Sequence, residues 1–167
     1  MFKKLFLPLA GVMLFIVLVG VFTQKSGSSI LSKFLHSATP IPEETMTVGS
    51  KTVQVQIVKT ETDREKGLGG VKSLNADDGM LFVFDSKPVN ATFWMKDMLI
   101  PLDMIWIKDN KVLSIDRNIP ISPVGTPDSS LKTYSPKEPI DYVLEVNAGF
   151  SDSNGVKVGD VVTLPTL

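Results

Sequence analysis

The chain has 167 residues, 17 basic against 18 acidic side chains, a formal net charge of −1 and no cysteine. That length suits one ordinary domain with an appendage, and the lack of cysteine removes disulfides, thiolate catalysis, a lipid-bearing cysteine and cysteine-type zinc sites. Residues 1–25 hold three of the basic residues and no acidic one, so the remainder carries 14 against 18, a net of −4. It lacks the basic stripe that phosphate binding needs, and no nucleic-acid partner is expected.

The front of the chain reads as the appendage. Lys3 and Lys4 precede Leu5–Phe22, a run of 18 residues without a charge. As a helix it would span about 27 Å, the hydrocarbon thickness of a bilayer. No Ala-x-Ala cleavage pattern follows it. Residues 1–23 are therefore expected to be a membrane anchor or signal segment, an N-terminal transmembrane helix with Lys3 and Lys4 on the cytoplasmic side. The expected location is the cell membrane, single-pass, with the domain extracytoplasmic; cleavage would make it secreted or periplasmic. Residues 24–44 are rich in Ser and Pro and read as a linker, which holds the only histidine, His36.

Residues 45–167 read as one β-rich domain. In "KTVQVQIV", Val53, Val55 and Ile57 alternate with Gln54 and Gln56, the pattern of a strand with one wet face. "TDREKGLGG" has capping-box spacing at Thr62 and Glu65, and its glycines stop the helix after a turn or two. Next, "GMLFVF" (Gly79–Phe84) and "ATFWMK" (Ala91–Lys96) are apolar on both sides. Folded as a hairpin, they would pair Phe82 with Phe93 and Met80 with Met95, buried on both faces. An exposed Phe-Trp platform is the alternative, with Trp94 its leading member.

"LDMIWIK-DN-KVLSIDR" is the clearest hairpin, because Asp109 and Asn110 both tolerate the positive φ of a primed turn. Pairing Lys108 with Lys111 sets Trp106 opposite Leu113, Met104 opposite Ile115 and Asp103 opposite Asp116. Such a like-charge pair must recruit a cation, share a proton or be relieved by a bulge. Lys96 is the expected cation. Residues 118–140 carry five prolines and read as a long loop. "DYVLEV" resumes as a strand with Glu145 near its end; "NAGFSDSNG" is a turn with a short helix, and "VKVGDVVTL" a turn and a last strand. The expected fold is mostly β: a small β-barrel or sandwich of about seven or eight short strands with one or two short helices behind the transmembrane segment.

Most catalytic templates fail. The domain has no histidine for a triad or a general base, and no phosphate loop or dinucleotide fingerprint. Asp152–Gly155 is too short for a calcium loop. No metal, cofactor or catalytic residue is assigned. What survives is a polar set at the borders of apolar segments: Arg64, Trp94, Lys96, Asp103, Asp116 and Glu145. It reads as a ligand-orienting site, a structural ion network or a carboxylate pair.

Arg64 with Gly67-Leu68, then "GMLFVF", "FWMK", "PLDMIWI", "VLEVNAG" and "VGDVV" in that order resemble the domain of unknown function 192 family, small exported proteins of bacteria and archaea. The resemblance covers about Lys51–Leu164. Arg64, Gly79, Met80, Phe93, Trp94, Met95, Lys96, Leu102, Asp103, Glu145 and Gly149 fall on its motif positions. It implies a compact, mostly β domain behind a signal or anchor, and no reaction. Gly69-Gly70 stand where a bulkier continuation is expected, which would leave a pocket there more open. The function expected is a membrane-anchored module, not an enzyme, binding a small polar ligand such as a glycan or cell-wall fragment. The alternatives are a carboxylate-dependent hydrolase using Asp103 with Glu145 or Asp116, and a structural or partner-docking envelope domain.

Overall fold

The structure, a computed structural model, describes residues 43–167. A seven-stranded sheet forms the body, in the order β6-β5-β8-β3-β2-β1-β9. Strands β1 (Glu43–Val48) and β2 (Lys51–Val58) form a hairpin closed by Val48 opposite Lys51. Helix α1 (Glu61–Lys66) then carries the chain over to β3 (Asp78–Val83), which runs parallel to β2. Strand β8 (Tyr142–Asn147) lies antiparallel between β3 and β5 (Leu102–Lys108). Strand β6 (Lys111–Ile119) pairs with β5, and β9 (Val162–Thr163) with β1. Helix α2 (Phe150–Ser153) follows β8.

The sheet curls until its outer strands meet. Lys111 bridges Val161; the Val162 N–H donates to the Asn110 carbonyl at 2.8 Å, and that of Val112 to the Asp160 carbonyl at 2.9 Å. All seven strands send side chains into one enclosed cluster, among them Val48, Val55, Leu81, Ile105, Leu144 and Val162. This half-barrel explains the alternation in β2: Val53 and Val55 point inward, while Gln54 is exposed.

Strands β3, β5 and β8 alternate differently, because both of their faces are buried. Met80, Phe82, Met104, Trp106 and Val143 face away from the barrel interior, into a second cluster. A two-stranded ribbon covers them: β4 (Phe93–Trp94) paired with β7 (Thr133–Tyr134). The ribbon is tied down where Val89 and Ile140 exchange backbone hydrogen bonds of 2.8 and 2.9 Å.

Several expectations are corrected here. "GMLFVF" and "ATFWMK" do not form a hairpin; β3 pairs with β2 and β8, and β4 with β7. Phe82 and Phe93 nevertheless touch, edge to face with ring centroids 4.8 Å apart, because the ribbon lies on top of β3 and not beside it. Residues 118–140 are no structureless loop: they hold the end of β6, a 3-10 turn at Asp128–Ser130 and β7. The expected transmembrane helix is not carried forward. Among the described residues no helix is long and apolar enough to cross a membrane. Leu5–Phe22, the linker and His36 lie outside the described residues. The fold class becomes a β half-barrel with two short helices, and the membrane partner, the anchored function and the single-pass placement are withdrawn.

Gly79 marks a close strand contact. It faces Val146 across β3 and β8, and a Cβ built on it would sit 2.8 Å from the Glu145 carbonyl oxygen and 3.0 Å from a Val146 methyl. Only glycine allows this approach. Phe82 is buried in the same region and should carry a large share of the stability. Phe82→Ala is expected to cost about 3–5 kcal/mol, much of the roughly 5–15 kcal/mol that holds a domain of this kind together. Urea denaturation would measure it; a loss below about 1 kcal/mol would mean that the ribbon does not seal this face.

Candidate functional site

Glu145 is the one acidic residue in the strand Tyr142–Asn147. It lies opposite Met104 on one side and Met80 on the other. The pleat therefore sends its side chain to the ribbon-covered face with Val143. There it is 4% exposed. Among the described residues its carboxyl has no hydrogen-bond or ion-pair partner, and burial alone pushes its pKa up to about 8. The group is thus a neutral acid at pH 7.

The carboxyl borders a cavity of about 330 Å³. Phe82, Phe84, Phe93 and Trp94 provide aromatic walls, Leu68 and Met98 apolar ones, and Arg64 and Lys96 reach the rim. Trp94 is 43% exposed, while Phe93 packs inward. Phe93 also meets Trp106 edge to face at 5.5 Å. Beside Trp94, Gly69 and Gly70 line a second depression. A Cβ on Gly70 would meet no atom within 4 Å, whereas one on Gly69 would sit 2.9 Å from the Lys66 carbonyl oxygen.

Helix α1 delivers Arg64. Its cap is Thr60, whose hydroxyl accepts the Asp63 N–H at 3.1 Å, and not the expected Thr62 with Glu65. Gly67, at φ 46°, stops the helix. The Arg64 guanidinium donates to the carbonyls of Lys59 and Val83, lies 3.6 Å from Asp85 and covers the Phe84 ring at 5.6 Å. It clamps the ends of β2 and β3 while forming one wall. Lys96 pairs with Asp128 at 2.5 Å and sits 5.6 Å from the Trp94 ring centre. The hydrogen bond and charge of Asp128 raise its pKa.

Asp103 and Asp116 do not join this group. The Asp109-Asn110 turn has φ values of 50° and 54°, and Lys108 does pair with Lys111. Two register shifts along β6 then undo the rest: Trp106 faces Ser114, Met104 faces Asp116, and Leu102 faces Ile119. Of the three ways to relieve the acidic pair, the bulge operates. Asp116 accepts the Trp106 indole N–H at 2.8 Å. Asp103, fully buried, points into the barrel, the face opposite Glu145. It accepts backbone N–H groups from Asn118 at 2.8 Å, Gly149 at 3.1 Å and Ser151 at 2.9 Å. Lys96 is near neither acid's partners, so the expected coupling between them is abandoned, and no carboxylate pair is assembled. Of the six residues expected from the sequence, the structure gathers Arg64, Trp94, Lys96 and Glu145. The sequence reading missed Phe84, Leu68 and Met98 as walls, because their separation along the chain carries no periodic signal.

Two outcomes follow for these acids. Asp103→Ala should cost at least about 3 kcal/mol, since three backbone donors lose their acceptor and a single such bond to a carboxylate is worth about 1.5–3 kcal/mol. Asp103→Asn should also destabilise, because either amide orientation turns its NH₂ toward a backbone donor. Wild-type stability at either substitution, measured by thermal unfolding, would show that these three hydrogen bonds do not hold the fold. Glu145 makes a pH prediction. Its folded pKa of about 8 exceeds the ordinary 4.5, so between those values the folded state keeps a proton that the unfolded chain releases. Stability must therefore fall as pH rises through this window. The loss is on the order of 5 kcal/mol at 1.36 kcal/mol per unit. Glu145→Gln should flatten the dependence and be the more stable protein at pH 9. Parallel stability curves from pH 5 to 9 would show that the carboxyl titrates normally.

Comparison with known proteins gives a family and a fold. The chain matches the family DUF192, described as Uncharacterized ACR, over residues 44–164. A crystal structure of a protein of unknown function from Novosphingobium aromaticivorans DSM 12444 is similar at 28% identity and a TM-score of 0.67, over 77% of this chain and 90% of that one. A candidate transcription regulator from Sinorhizobium meliloti 1021 is similar at 28% identity and a TM-score of 0.65, over 73% and 93%. No curated protein matches the sequence. The chain belongs to the domain of unknown function 192 family.

Proposed function

We propose that the domain is a small-molecule-binding module, and that the cavity over Glu145 is its ligand site. One observation carries this reading: an unpartnered carboxyl, 4% exposed, at the border of an aromatic-walled cavity. Burying an acid without a partner costs free energy in the folded state. A core built for stability alone would be better served by an apolar side chain there. A cavity of about 330 Å³ falls at the lower end of ligand pockets. The occupant is small, with an apolar body against Phe82, Phe84 and Phe93 and one polar group at Glu145. A glycan is not singled out by such walls. The hydrolase alternative loses its motive, because Asp103 is engaged by three backbone donors on the opposite face.

The purified full-length protein, titrated with a library of small fragments and followed by amide NMR shifts, tests this. Fragments with an apolar body and one polar head should shift Trp94 and Leu144–Val146 saturably, and Glu145→Leu should weaken them at least tenfold. If no fragment saturates these resonances, the cavity is not a ligand site.

A further inference from the structure

The cavity has a preferred ligand charge, and it follows from counting which groups around it are already neutralised. Glu145 on β8 faces the cavity without a partner. Two of the rim cations have counter-ions: Arg64 with Asp85 and two carbonyls, Lys96 with Asp128. Three charged side chains from α1 are left at the rim, Glu61, Glu65 and Lys66, none in an ion pair among the described residues. They add a net single negative charge. Across the sheet, Asp116 is two strands from Glu145, roughly 10 Å away with Met104 between them. Its carboxyl is held by Trp106. The polar neutral groups are Asn90 and Thr92.

The walls agree with this count. Aromatic rings attract cations to their faces. Phe84 and Trp94 already hold the protein's own cations, Arg64 and Lys96, each at 5.6 Å. A carboxylate ligand would bring its negative charge toward Glu61 and Glu65 at the rim. A primary ammonium instead offers three N–H donors to a carboxyl that has none.

We propose that this cavity binds a small primary alkylammonium ion, its nitrogen on the Glu145 carboxylate and its alkyl tail between Phe82, Phe93 and Trp94. This rests on the cavity being a ligand site, as proposed above. The proton balance is simple. Glu145 enters as the neutral acid and the ligand as R–NH₃⁺; the complex is the pair R–NH₃⁺ with –COO⁻, and the carboxyl proton passes to solvent. Burial of the acid makes that release visible near neutral pH, since the group is protonated there before the ligand arrives.

Calorimetry on the full-length protein with n-butylammonium chloride, butyramide and sodium butyrate decides the matter, at pH 6 to 9 and in two buffers of different ionisation enthalpy. The amine should bind with affinity rising toward tenfold per pH unit between pH 6 and 8 and levelling above it. About one proton should be released per amine at the lower pH values. Glu145→Gln should lose at least thirtyfold for the amine and all of its pH dependence while keeping its fold. Trp94→Ala, at an exposed wall, should weaken the amine about threefold. Glu145-dependent binding of butyramide or butyrate that weakens as pH rises through 8 would overturn the ammonium assignment and leave the ligand site standing. Binding of none of the three at millimolar concentration, with the NMR library silent as well, would overturn both.

Discussion

Three neighbouring strands, β5, β8 and β3, carry large apolar side chains on both faces, and water has to be kept from each. The inward face is sealed by curling the sheet until β6 and β9 meet. The outward face has only a two-stranded sheet to rest on among the described residues. The β4–β7 ribbon and the segments tied at Val89 and Ile140 cover it. This second cover is the more demanding of the two, because a ribbon with two-residue strands cannot fill the area evenly. Where it falls short, between α1 and Trp94, the cavity forms. The site is thus a by-product of the requirement that two-faced strands be doubly covered, and Glu145 is the residue that turns a packing gap into a chemical one.

The two buried acids of the domain illustrate opposite solutions to the same cost. Asp103 surrenders its lone pairs to three backbone N–H groups, two of them at the start of α2, and thereby fixes where β8 hands over to that helix. Glu145 has no such donors and is neutral instead. Their chain positions are similar, each inside an apolar strand. The difference comes from which face of the sheet each occupies: one faces loop ends with free N–H groups, the other two methionines.

Local signals were legible in the sequence, and cross-chain ones were not. Asp109-Asn110 announced its turn because the chemistry of that turn resides in those two residues. The alternation in β2 announced a one-sided strand for the same reason. The pairing of Asp103 with Asp116 failed because two extra residues in β6 leave no trace in hydrophobic pattern, although the repulsion between the acids correctly required some relief. The contact of Phe82 with Phe93 was legible, while its origin was not: adjacency in sequence looked like a hairpin, and the true neighbours of β3 lie at Gln54–Val58 and Tyr142–Val146. Of the site, the charged and indole members could be named from the chain. The walls depend on how the ribbon lies, and Asp103 and Asp116 could be separated from Glu145 only by knowing the faces.

The seam between β6 and β9 has a consequence for how this protein meets other chains. An open sheet ends in rows of unpaired N–H and C=O groups, a template on which foreign strands can polymerise. Here the Asn110 carbonyl and the Val112 N–H are both occupied by the segment at Asp160–Val162. Protection against edge-to-edge aggregation is therefore assigned to a few residues close to the C-terminus, whose own strand is two residues long. The closure of the main sheet thus rests on its shortest strand.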